Sequence, residues 1–167
     1  MRERAEILAE ITGGIRQALA AHEPERVWDA FLKGICPAMK CAAGSYFAAD
    51  DERKKLTLLF VYGPHAPEIK NMMMSYEGVV GWVAEKRQAM LVNDAAKDAR
   101  FFKAVDDATG FKTTHILCVP VIYAGRLLGV VELMNPAKGI FTEDDLDTVN
   151  YICAGVARVV AVQEQER

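Results

Sequence analysis

The chain has 167 residues, 51% of them apolar and 26% charged, with a formal net charge of −3. That length and composition predict one soluble domain with a full core. They exclude the basic face that nucleic acid requires and the run of about 20 apolar residues that a membrane span requires. Four scattered cysteines, Cys36, Cys41, Cys118 and Cys153, fit a reducing cytoplasm and give no zinc-binding spacing.

In chain order, Ile7, Leu8, Ile11, Ile15, Ala18 and Leu19 recur at helical spacing and predict an amphipathic helix over residues 3–21. Pro24 suits the first turn of a second helix, which carries Val27, Trp28, Phe31, Leu32 and Ile35 and is expected to end at Pro37. Residues 43–49 and 56–62 read as strands joined by the polar turn Asp50-Asp51-Glu52-Arg53, and Gly63-Pro64 closes that hairpin. Residues 67–74 read as a short helix whose Met72-Met73-Met74 run fills gaps in the core. A further helix opens at Gly78-Val79-Val80-Gly81-Trp82, with Trp82 in the core, and residues 90–93 form a short strand.

The stretch from Phe101 to Glu132 carries the most chemistry. On a helix Phe102, Asp106 and Thr109 share one face at spacings of four and three, and Gly110 supplies the left-handed stop. A ring, a carboxylate and hydroxyls on one face can grip a planar, nitrogen-rich ligand. The same spacing also describes an amphipathic helix with Phe102 inward and Asp106 in water. Residues 116–123 and 127–134 form a hairpin around Ala124-Gly125, with a bulge expected at Pro120.

Thr142 ahead of Glu143-Asp144-Asp145 reads as an N-cap. The last helix places Leu146, Val149, Cys153, Val156 and Val160 at spacings of 3, 4, 3 and 4, which fits either a heptad seam or a core-facing stripe. Taken with Leu8, Ile11, Ile15 and Ala18, it predicts a parallel homodimer through the terminal helices. His22, His65 and His115 are isolated, and Asp106 and Asp107 are adjacent and so point to different sides of a helix. No nucleophile–base pair and no metal-ligand set emerges, so neither catalytic nor metal residues are expected.

The order of elements resembles a GAF domain, the small-molecule sensing module of signalling proteins. So do Gly78-Val79-Val80-Gly81, Asn93-Asp94-Ala95, Phe102, Asp106-Asp107, Thr109-Gly110-Phe111, Thr113 and Gly129-Val130-Val131-Glu132-Leu133. Within that family the pattern is most similar to the cyclic-nucleotide-binding GAF domains of phosphodiesterases and bacterial adenylyl cyclases. The resemblance covers residues 25–160 and implies an α+β fold with residues 1–167 as one domain. The fold would be a PAS-related three-layer sandwich, with a central antiparallel sheet of about six strands and helices on both faces.

It further implies a non-enzymatic, cytoplasmic regulatory domain with cyclic AMP or cyclic GMP as bound ligand. Phe102 would pack on the base, Asp106 read a purine N–H, and Thr109 and Thr113 bond base or ribose. Ser45 would touch the base edge, Glu132 face the pocket, and the N–H groups of Val79 and Val80 meet the phosphate. Residues 94–112 would order over the ligand as a lid, and the terminal helices would pass the signal to a partner or an output domain. Two other readings stay open: a ligand-free dimerisation module, and an enzyme of the free-methionine-sulfoxide-reductase kind. The chain departs from the subgroup after the hairpin. Asn135-Pro136 stands where Asn-Lys is expected and Asp145-Leu146 where Asp-Glu is, so the lysine of a pocket-closing Lys–Asp pair has no counterpart at 136. An acidic residue expected near Tyr62-Gly63 is also missing.

Overall fold

A computed structural model describes residues 4–166. One antiparallel sheet runs through it in the order β3-β2-β1-β6-β5-β4, comprising β1 (Cys41–Asp50), β2 (Lys55–Tyr62), β3 (Met73–Ser75), β4 (Met90–Val92), β5 (Ile116–Tyr123) and β6 (Arg126–Pro136). Strands with this composition form because their β-branched and aromatic residues fit a pleated, buried surface. The three central strands are covered on both faces. Tyr46, Val119, Val131 and Leu133 point into one core, while Phe47, Cys118 and Val130 point into the other.

The first core lies under three helices. Helices α2 (Val27–Met39) and α6 (Glu143–Gln165) rest on the sheet, and α1 (Arg4–Ala20) packs chiefly on α2. Trp28 of α2 stacks on Tyr46 of β1 with ring centroids 4.6 Å apart. The opposite face carries α3 (Ala66–Ile69), α4 (Gly78–Lys86) and α5 (Ala104–Thr109), together with the loops between them.

Several expectations change here. Pro37 lies inside α2 and does not end it; its exposed face lets the missing bond fall to water, and the helix stops at Lys40 in the left-handed conformation. Residues 72–74 are not helical. Met73 and Met74 belong to β3, an edge strand, so Met72 and Met74 turn inward while Met73 is 68% exposed. Pro120 pairs in register with Val130, and the irregularity falls between Val121 and Ile122. The seam residues Val149, Cys153, Val156 and Val160 are buried in the chain's own core with Ile11, so that seam is not free for a second copy.

A Lys–Asp pair is present, with its lysine at 138 and not at 136. Lys138 Nζ lies 2.5 Å from Asp145 Oδ2, and Asp145 also completes a capping box with Thr142. This pair lies beside Ile7, Met39 and Thr148 and ties the loop after β6 to α6.

Helix α4 is placed by close contact at one end and by polar ties at the other. A Cβ at Gly81 would lie 2.2 Å from the Tyr76 carbonyl carbon, so only glycine lets the helix sit there. At the far end Arg87 donates to Asp51 Oδ2 and to the Gly125 carbonyl, both at 2.7 Å, and Tyr76 donates to Asp51 Oδ1 at 2.9 Å. Gly81→Ala should therefore lower stability by about 1–3 kcal/mol through overpacking. Gly155→Ala, on α6 where a Cβ meets nothing within 4 Å, should raise it by roughly 0.5–1 kcal/mol. Thermal or urea melts of the two variants test that opposition of sign.

Candidate functional site

Between the second face of the sheet and the excursion from Gly63 to Thr113 lies a cavity of about 90 Å³. Its floor comes from alternate residues of two strands, because successive strand residues face opposite sides. Ala43, Ser45 and Phe47 of β1 and Glu132 and Met134 of β6 are on that floor. Val79 and Val80 enter from the first turn of α4, whose N–H groups have no partner within the helix. Phe101, Phe102, Asp106 and Thr109 come down from the lid.

All eight residues singled out in the sequence, Ser45, Val79, Val80, Phe102, Asp106, Thr109, Thr113 and Glu132, border this one cavity. They do so from six separate segments, since Phe102 precedes α5 and does not share its face. Phe102 is 42% exposed at the rim. Sequence reasoning missed much of the apolar lining, including Phe47, Met72, Met74 and Met134. The signal available was the period-two alternation of their strands. His65 also borders the cavity, with Nδ1 3.2 Å from the Glu68 carboxylate. Trp82 is half-buried rather than in the core, and the Arg100 guanidinium lies 5.2 Å above its ring.

The polar groups differ in how far they are already engaged. Asp106 accepts the Thr113 N–H at 2.7 Å and the Thr113 hydroxyl at 2.8 Å, so it is not a solvated helix residue. The Thr109 hydroxyl donates to the Val105 carbonyl and accepts the Phe111 N–H. Asn135 Oδ1 takes the N–H groups of Thr114 and His115, and its Nδ2 donates to the Lys112 carbonyl at 2.8 Å, which anchors the end of the lid to β6. Arg100 grips Asp98 with two hydrogen bonds.

Glu132 has no such partner. Among the described residues its carboxyl makes no hydrogen bond or ion pair. It is partly buried and lines the cavity. Burial, and secondarily the Asp106 charge, push its carboxyl up to about 7.

The four thiols are all buried, and burial pushes each of them up. None is poised as the thiolate that cysteine chemistry requires. The described residues include no metal-binding cluster of His, Cys, Asp or Glu, and no helix among them is long and apolar enough to cross a membrane.

A family model for the GAF domain matches residues 21–161. The cGMP-specific 3',5'-cyclic phosphodiesterase of Drosophila melanogaster is 39% identical over 71 residues, which is 42% of this chain and 6% of that protein. The chain spans a tenth or less of the curated relatives it matches. Among solved structures, the GAF domain of an Acinetobacter phosphoenolpyruvate-protein phosphotransferase superposes with a TM-score of 0.79 at 23% identity, over 99% of this chain and 98% of that one. Free methionine-R-sulfoxide reductase from Neisseria meningitidis, solved with its substrate, also gives 0.79 at 14% identity, over 100% and 95%. At these identities the two structures show the shared fold.

Glu132 makes stability depend on pH. Its folded-state proton affinity exceeds the unfolded one, so the native state binds more protons between about pH 4.5 and 7, and stability falls as pH rises through that window. The loss is on the order of 2–3 kcal/mol. Melting curves of wild type and Glu132→Gln across that range should diverge, with the Gln variant lacking this component.

Proposed function

Because the chain belongs to the GAF domain family, we propose that it is a non-enzymatic regulatory domain that binds a cyclic nucleotide, cyclic AMP or cyclic GMP, in the cavity beneath its lid. The observation that carries this reading is the convergence on one cavity of an aromatic ring, two carboxyls, three hydroxyls and a helix N-terminus. Phe102 offers a face for the base. Ser45 and Glu132 meet its edge, and the first-turn N–H groups of Val79 and Val80 meet the phosphate, where about half a positive charge resides.

The cavity is smaller than the ~150 Å³ that accommodates a benzene-sized guest, so the nucleotide enters only when residues 94–112 lift. Lifting and re-closing that segment is the conformational change by which occupancy would reach the terminal helices and a downstream output domain. The small volume also favours a second reading, a domain whose cavity is filled by its own Phe and Met side chains. Buried, raised thiols speak against reductase chemistry of the Neisseria kind in this chain.

Calorimetric titration with both cyclic nucleotides separates these readings. Binding by wild type, weakened roughly 5- to 100-fold in Phe102→Ala by loss of about 1–3 kcal/mol of stacking, supports the first. Since that ring is 42% exposed, the melting temperature of the variant should hardly change. No binding at hundreds of micromolar would leave the ligand-free reading.

We also propose that a second copy docks through the terminal helices on the outward stripe Tyr151, Val159 and Val162 of α6, which stay 64%, 41% and 40% exposed. Sedimentation at micromolar concentration should show a dimer that Val159→Glu breaks. A monomeric wild type would end this idea.

A further inference from the structure

Glu132 stands at the middle of the cavity floor with its Cα opposite Ser45 on β1 and Cys118 on β5. A ligand group that reaches Glu132 therefore also reaches the Ser45 hydroxyl. The titratable groups facing the carboxyl are Asp106 from α5, the Cys118 thiol from β5, and Tyr62 and His65 at the mouth. Helix α4 contributes Gly78, Val79 and Val80, none of which titrates, and among the described residues no Lys or Arg borders the cavity. Asp106 adds negative charge across the space while both its oxygens are held by Thr113. A carboxyl with no partner, beside another carboxylate and away from any lysine or arginine, costs folding energy for no structural return. Such a group in a cleft marks recognition chemistry.

The state of that carboxyl decides which base edge it fits. As the acid it offers one donor and one acceptor, whereas as the carboxylate it offers acceptors alone. Adenine presents an acceptor ring nitrogen beside its N6 amino donor, the complement of the acid. Guanine presents two donors side by side at N1 and N2, the complement of the carboxylate.

We propose that Glu132, with the Ser45 hydroxyl opposite it, is the specificity-determining group of the pocket. It meets the base as a proton donor, so the site selects an adenine-type donor–acceptor edge and binding takes up a proton. This rests on the cyclic-nucleotide reading above. It assigns cyclic AMP to the pocket, although the 71-residue match above is to a protein whose name specifies cyclic GMP.

The test is calorimetric titration of the whole chain with cyclic AMP and cyclic GMP from about pH 5.5 to about pH 8.5, in paired buffers of different ionisation enthalpy that report proton uptake. For wild type, cyclic AMP affinity should fall up to about tenfold per pH unit above about 7, with proton uptake approaching one per site there. The preference over cyclic GMP should narrow in parallel. Glu132→Gln should bind with no such pH dependence, since an amide keeps a donor and an acceptor at every pH. Glu132→Ala should lose roughly tenfold or more at the acid end. Melting curves identify a variant that fails to fold, in which case the wild-type pH profile and proton count decide alone. A flat cyclic AMP profile, tighter cyclic GMP binding throughout, or a Gln variant as weak as Ala overturns the inference while leaving the cyclic-nucleotide reading in place. Failure of wild type to bind either nucleotide at any pH removes that reading and this inference with it.

Discussion

The pairing of β1 with β6 is the constraint on which the molecule depends. Both strands are buried on two faces, and side chains alternate strictly along them, so the register that sets Ser45 against Glu132 also sets Tyr46 against Val131 and Gly44 against Leu133. One set of residues meets the helices and the other makes the cavity floor. A slip by one residue would drive the Glu132 carboxyl into the Trp28–Phe31 core and turn Leu133 towards the ligand space. The stacked Trp28 and Tyr46 rings, the three apolar positions of β6 and the helical cover all penalise that slip. A costly acid can thus be held on the cavity face because the other face is so unambiguously apolar.

Where local chemistry decides a feature, it was legible in the sequence. Gly110 does end α5 in the left-handed conformation, Thr142 does cap α6, and the Ile116–Tyr123 hairpin arm is a strand. Legibility ended where tertiary partners decide. Three consecutive methionines fit a helix as well as a strand until Leu56 and Thr57 of β2 offer them a ladder. Pro37 forbids a helix only where its missing bond would be buried, and here it faces water. A spacing of 3, 4, 3 and 4 is common to a coiled-coil seam and a core stripe, and α6 had a sheet to cover. The eight candidate residues that border the cavity were singled out through motif resemblance. The cavity around them was not, because its apolar walls belong to the ordinary alternation of strands.

Helix α4 and the lid show how backbone contact serves the site. Gly81 brings α4 onto Tyr76, and Gly78, with φ +69°, lets the chain pass within van der Waals reach of Phe102. The helix N-terminus is therefore directed at the rim by steric fit, with Arg87 holding its other end. In a cavity bordered by no lysine or arginine, those N–H groups and His65 are the available hosts for an anion. On the cyclic-nucleotide reading proposed above, a phosphate there would be neutralised only in part.

The two carboxyls around the cavity do not compete on equal terms for that base. Asp106 already holds two charge-assisted hydrogen bonds from Thr113, each of a kind worth about 1.5–3 kcal/mol, and these bonds also fasten the lid. A ligand that recruits Asp106 must break or share them, and it loosens its own cover as it does so. Glu132 is partly withdrawn from water by the fold and, among the described residues, has no hydrogen bond to surrender. A hydrogen bond from a ligand would offset part of the cost of burying that carboxyl. On the reading proposed above, recognition would fall to the acid on the sheet, while the acid on α5 holds Thr113. Occupancy and lid position are coupled through the cavity they share.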